Sequence, residues 1–104
     1  MAIIKGELAN FEAEVLQAAG PVIVDFWAPW CGPCRMLGPT LELFEEEQAD
    51  KIKVVKVNID LEDVLAARYE VMTIPTLILF QDGKEVRRSV GVIPMEQLEE
   101  FAGV

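Results

Sequence analysis

The 104-residue chain has no histidine and only two cysteines, and its 9 lysines and arginines face 18 acidic residues. Each shortage excludes something. Structural zinc takes four ligands, usually cysteine or histidine, so one molecule cannot complete such a site; only a dimer sharing one, or help from carboxylates, would rescue it. A formal net charge of −9 repels phosphate backbones and anionic lipid, which argues against nucleic-acid and membrane-surface partners. No apolar run approaches the roughly 20 residues that span a bilayer. The amino terminus, MAIIKGELANFEA, lacks a sustained apolar stretch and carries acids early, unlike a secretory signal. There is no GxGxxG and no phosphate-binding loop, so no bound nucleotide cofactor is expected. No repeat, linker or low-complexity tract interrupts the chain.

What is present is enough for a core. Hydrophobic residues make up 52% of the chain, and the length suits one domain, residues 1–104. A cytoplasmic, reducing setting follows from these signals, and there a lone C-x-x-C is catalytic or metal-binding rather than a structural staple.

The turn signals are evenly spaced. Ile3 and Ile4 suit a short edge strand. Asn10 suits a helix N-cap, with Phe11, Val15 and Ala18 on one face and a stop at Gly20-Pro21. Residues 22–28 are nearly all apolar, as a strand covered on both faces requires. A helix then runs from Cys31 to about residue 47, with Leu37, Leu41 and Phe44 inward. Pro39 falls inside it, where it removes a hydrogen bond to the Arg35 carbonyl and is expected to kink it. Glu45-Glu46-Glu47 reads as a solvated helix end. Residues 52–59, IKVVKVNI, form a second central strand. Asp60 is placed to cap a helix through about residue 69 with Leu61, Val64, Leu65 and Ala67 on its apolar side. Residues 76–80 and 85–90 flank Asp82-Gly83, a hairpin signal. Pro94 suits the first turn of a last helix with Leu98 and Phe101 inward. The order β-α-β-α-β-α-β-β-α gives an α/β chain with a mixed sheet, its two central strands parallel.

The chemistry concentrates in residues 25–39, DFWAPWCGPCRMLGP, which hold both cysteines and both tryptophans. Cys31 and Cys34 lie where a strand gives way to a helix. The first helical turn leaves N–H groups unpaired and carries partial positive charge, which favours a thiolate, the nucleophilic form. Pro33 costs nothing in that turn because its missing N–H would be unpaired anyway, and it limits the freedom of the loop between the thiols. Cys31, nearer the helix start, is expected to be the exposed attacker, and Cys34 the buried resolver. The plain alternative is two buried cysteines that happen to be close. Asp25 interrupts an apolar strand, so its carboxyl is expected to be buried with a raised pKa, able to take the Cys34 proton; an ordinary edge aspartate is the alternative. Lys56 either reaches the same interior and tunes Asp25 or faces solvent. Pro75, in Ile74-Pro75-Thr76, must sit at a strand start or edge. Trp27 and Trp30 belong to the core or to a contact surface, with Trp30 the better candidate for exposure.

VDFWAPWCGPC, Pro39, KVNID at residues 56–60, IPT at residues 74–76 and Gly91 fall in the order of the thioredoxin family, which the chain resembles over essentially its whole length. The resemblance implies a thioredoxin fold, a five-stranded mixed β-sheet flanked by four helices, and a small monomer that reduces disulfides in other proteins. It implies Cys31 as nucleophile, Cys34 as resolving thiol, and Asp25, assisted by Lys56, as buried proton acceptor. Pro75 would be a cis-proline facing the disulfide, with the Ile74 backbone offered to a substrate strand. Trp30, Ile74, Gly91 and Val92 would line a shallow apolar docking patch, joined by Gly32 and Pro33, with Trp27 and Pro39 as structural neighbours. No cofactor would be bound beyond the redox-active Cys31–Cys34 disulfide. The partners implied are disulfide-containing client proteins and a thioredoxin reductase, flavin-dependent and fed by NADPH or ferredoxin. The Gly-Pro pair resembles the reducing branch of the family. Arg35 stands where lysine is common, and Met72-Thr73 differs from other members. A non-catalytic subunit lending this surface to a larger assembly is the second reading, and a dimeric metal carrier the third.

Overall fold

Apolar residues on both sides of one strand settle the architecture. In the computed structural model, which describes residues 3–104, that strand is β2 (Val22–Trp27), and its first five residues are all buried. The elements follow as β1 (Ile4–Lys5), a π-helical segment (Glu12–Leu16), β2, α1 (Gly32–Gln48), β3 (Lys53–Asn58), α2 (Asp63–Arg68), β4 (Thr76–Gln81), β5 (Lys84–Val90) and α3 (Met95–Ala102). The five strands lie in the order β1-β3-β2-β4-β5. β2 is parallel to β3 and antiparallel to β4, so the sheet is mixed, and the described residues form the expected five strands and four helical segments.

Side chains alternate across a strand, and the two core layers follow that parity. Val22, Val24 and Phe26 pack with Val55, Val57, Ile78 and Phe80 against Phe11, Val15 and Leu65. Ile23 packs with Val54, Leu77 and Leu79 against Leu37, Leu41 and Phe44 of α1 and Leu98 of α3. Leu37, Leu41 and Phe44 recur at four and three residues, and burying each contributes about 1.5–3 kcal/mol. Asp25 shares the parity of Ile23, so it points to the face that α1 covers.

Several local expectations change. Asn10 does not cap the first helix with its side chain. Its Oδ1 accepts the Glu7 N–H at 2.7 Å and its Nδ2 donates to the Lys5 carbonyl, closing the preceding turn instead. The segment that follows is wound wide, with the Gln17 N–H donating to the Glu12 carbonyl five residues back, yet it still buries Phe11 and Val15. α2 starts at Asp63 after an N-cap at Glu62 and has no side-chain cap. At six residues it buries only Leu65, leaving Leu61, Val64 and Ala67 exposed. Tyr69, just beyond it, joins Phe11, Phe26 and Phe80 at centroid distances of 5.6, 6.3 and 5.3 Å. Glu45 is buried although Glu46 and Glu47 are exposed. It follows Leu41 and Phe44 at the i, i+3, i+4 spacing of one helix face, which outweighs its membership of an acidic run.

α1 continues through Pro39, which lies on its exposed side. The β4–β5 hairpin turns on Asp82 and Gly83 with φ of 53° and 78°, the backbone of a type I′ turn. Pro94 sits one position before α3 as its N-cap, Leu98 is buried, and Phe101 is half-buried. Among the described residues no helix is long and apolar enough to cross a membrane.

Candidate redox site

The end of β2 delivers both cysteines to the open end of α1. Cys31 is the helix N-cap, in extended conformation at φ −91° and ψ 114°, and its sulfur accepts the Cys34 N–H at 3.2 Å. The helix terminus therefore aims a backbone donor at the Cys31 sulfur, as the strand-to-helix reading requires. Pro33 occupies the first turn, and Cys31 and Cys34 form a disulfide with Cα atoms 5.3 Å apart. The expected contrast in exposure is absent in this oxidised form, in which Cys31 is 5% and Cys34 3% exposed. The bond ties the two sulfurs together, and Ala28, Trp27, Ile59 and Ile74 pack around them.

The facing wall is the loop before β4. Ile74–Pro75 is a cis peptide bond. The Ile74 carbonyl oxygen lies 3.9 Å from Cys31 Sγ. Gly91, at the end of β5, donates its N–H to the Pro75 carbonyl at 2.8 Å with φ of 97°, a conformation that L side chains rarely adopt. Val92 beside it and Trp30 on the opposite loop are exposed, Trp30 at 65%. Met72, immediately before Thr73-Ile74, is 92% exposed. Trp27 is half-buried against the disulfide.

Asp25 is fully buried, and neither carboxylate oxygen has a hydrogen-bond partner. Burial raises its pKa from 3.8 to about 7, and the positive charge of Lys56 offsets part of that rise. Lys56 holds the matching register position on β3, so both side chains rise from the same face of the sheet. Its ammonium lies over the Trp27 ring, 4.4 Å from the centroid, and the side chain is half-buried. A cavity of about 600 Å³ opens beside Trp27 and Lys56, bounded by Ile4 on β1 and Glu42, Glu45 and Glu46 on α1. Among the described residues no group of three or more histidine, cysteine, aspartate or glutamate side chains is placed to hold a metal ion.

The structure thus brings Cys31, Cys34, Gly32, Pro33, Trp27, Trp30, Ile74, Pro75 and Gly91 to one end of the sheet, with Asp25 and Lys56 inside it. Two neighbours are invisible in the sequence. Ile59 packs on the disulfide, and Asp60 accepts a hydrogen bond from the Trp30 indole instead of capping a helix. Residues 30 and 60 give no local sign that they meet.

The family model described as Thioredoxin matches residues 2–103. The chain is 48% identical to the thioredoxin of Bacillus subtilis over 101 residues, covering 97% of this chain and 95% of that protein. It is 50% identical to the thioredoxin of Alicyclobacillus acidocaldarius, covering 88% and 86% of the two chains. Thioredoxin 1 of Synechococcus elongatus is 48% identical, with 86% and 84% covered.

Proposed function

We infer that this chain, which belongs to the thioredoxin family, attacks with the Cys31 sulfur and resolves with Cys34. It is a thiol-disulfide oxidoreductase of the protein-disulfide reductase kind, and the reading as a non-catalytic subunit is not favoured. The observation that carries the assignment of roles is the Cys34 N–H aimed at the Cys31 sulfur from the open helix terminus, and the buried, unpartnered Asp25 on the strand that leads to it supplies the proton acceptor.

In the dithiol form, Cys31 thiolate attacks one sulfur of a partner disulfide, and the other partner sulfur leaves as a thiolate. Cys34 then gives its proton to the Asp25 carboxylate and attacks Cys31 Sγ. The second partner sulfur leaves, and the Cys31–Cys34 disulfide remains. A carboxyl with a pKa of about 7 is suited to this step, since near neutrality it both takes up and returns a proton. Lys56 sets that balance by opposing the effect of burial.

Trp30, Gly32, Pro33, Ile74, Pro75, Gly91 and Val92 form the docking face, and Trp27 and Pro39 support it. Regeneration takes two electrons and two protons from a thioredoxin reductase, fed by NADPH or ferredoxin. The protein works as a monomer of one domain, residues 1–104, in the cytoplasm, where client cysteines are to be kept reduced. Insulin reduction with dithiothreitol as donor tests the reading: the parent is expected to accelerate it and Cys31→Ser to leave it at the rate of dithiothreitol alone. A parent no faster than that background overturns the reading.

A further inference from the structure

The stretch Lys56–Asp60, KVNID, enters the chemistry above only through its lysine. Its last three residues are built into the wall of the site. Asn58 Oδ1 accepts the Asp60 N–H at 2.9 Å, and the Asn58 carbonyl accepts the N–H groups of Leu61 and Glu62 at 3.1 and 2.9 Å. Ile59 donates its N–H to the Trp27 carbonyl at 2.9 Å and packs on the disulfide. This winding leaves Asp60 exposed, with its carboxylate toward Trp30. Trp30 Nε1 donates to both carboxylate oxygens, at 3.0 and 3.2 Å. On the other flank of the same loop, Arg35 Nη1 donates to the Pro29 carbonyl at 2.9 Å.

A tryptophan that is 65% exposed has little packing to fix its ring. Docking a partner on a mobile ring costs the freedom the ring then loses, whereas a ring already held avoids that cost. A hydrogen bond to a carboxylate is stronger than one between neutral groups and suits an exposed position. We infer that Asp60 is a positioning residue for partner docking: its carboxylate holds the Trp30 indole in one orientation beside Cys31, so that a partner meets an aromatic surface already ordered. The inference rests on the reductase reading, in which Trp30 belongs to the docking face.

The test compares the parent with Asp60→Ala, Asp60→Asn, Trp30→Phe and the double variant Asp60→Ala/Trp30→Phe. Each is assayed for insulin reduction and, in its reduced form, for its reaction rate with the small disulfide DTNB, which needs no docking face. Asp60→Ala is expected to raise KM for insulin about two- to tenfold, with kcat and the DTNB rate close to the parent's. Asp60→Asn keeps an acceptor oxygen and is expected to recover most of the loss. In the Trp30→Phe background, removing the Asp60 carboxylate is expected to change KM no further. The Trp30 indole N–H resonance, identified by its absence in Trp30→Phe, is expected to shift and to exchange faster in Asp60→Ala. Asp60→Ala and Asp60→Asn changing the DTNB rate alike would assign Asp60 a charge effect on the thiols and overturn the proposal. Equal KM effects of Asp60→Ala with and without Trp30 would overturn it too. An active parent with an unaltered Asp60→Ala sinks this inference alone, whereas a parent inactive on insulin sinks the reductase reading and this inference with it.

Discussion

Asp25 and Lys56 occupy paired positions on the adjacent parallel strands β2 and β3, yet they share no hydrogen bond: the carboxylate is buried without a partner and the ammonium rests on Trp27. The pair is coupled through space alone. Lys56 therefore softens the cost of ionising Asp25 without cancelling it, which leaves the carboxyl near neutrality rather than fixed as an anion.

The first prediction concerns stability against pH. Asp25 titrates at 3.8 when unfolded and at about 7 when folded. Relative to the ionised group, the protonated carboxyl's advantage is complete below 3.8, fades as pH rises, and is gone above the folded value. The span is worth about 4 kcal/mol. Asp25→Asn keeps the volume and cannot ionise. Its urea midpoint, compared with the parent's, is expected to gain steadily from pH 4 to pH 8 and level off beyond. A parallel pair of curves would show that Asp25 does not titrate in this window.

Lys56→Met removes the charge that lowers the Asp25 pKa. The carboxyl carbon resonance of Asp25 is expected to titrate above the parent's value of about 7. Stability loss at pH 8 relative to pH 4 is expected to grow accordingly. The lost contact with Trp27 lowers stability equally at both pH values and so does not imitate this change. A titration that stays put or moves down would remove Lys56 from the proton chemistry.

The two cysteines are expected to behave unequally in trapping. Cys34→Ser lacks the thiol that resolves the mixed disulfide, so client proteins are expected to remain bound to Cys31 and to come off with reductant. Cys31→Ser is expected to retain almost none. Non-reducing gels of both variants after incubation with lysate give the answer. Equal trapping, or more by Cys31→Ser, would reverse the assignment of attacker and resolver.

Gly91→Ala tests the far wall of the site. With φ at 97° and no atom within 4 Å of the place a methyl group would take, the cost is conformational rather than a clash. About 1–2 kcal/mol of stability is expected to be lost in urea unfolding. A shift of the Pro75 carbonyl, which the Gly91 N–H holds, is expected to raise KM for insulin as well. An unchanged urea midpoint would mean that the backbone here relaxes freely.

The strand-loop-helix unit at residues 22–48 is legible in the sequence because its signals are local: an apolar run, two thiols one turn apart, and Leu37, Leu41 and Phe44 in helical phase. Asp25 stands out for the same reason, as one acid among apolar neighbours. What stays hidden depends on where distant segments meet. Asp60 looks like a helix cap until Trp30 is brought beside it, and Asn10 looks like one until its amide is drawn back to Lys5 and Glu7. Glu45 misleads in the opposite way: local composition speaks for solvent, and its place on the inward face of α1 prevails.

The borders of the sheet matter for a protein that reduces disulfides in other chains. Unpaired strand edges are templates on which extended foreign segments add themselves. One border here, β1, is two residues long. The other, β5, reads KEVRRSV and displays Lys84, Arg87 and Arg88 to solvent. Short length protects the first edge and positive charge the second, so neither border offers an extended foreign segment a long, bare edge to pair with.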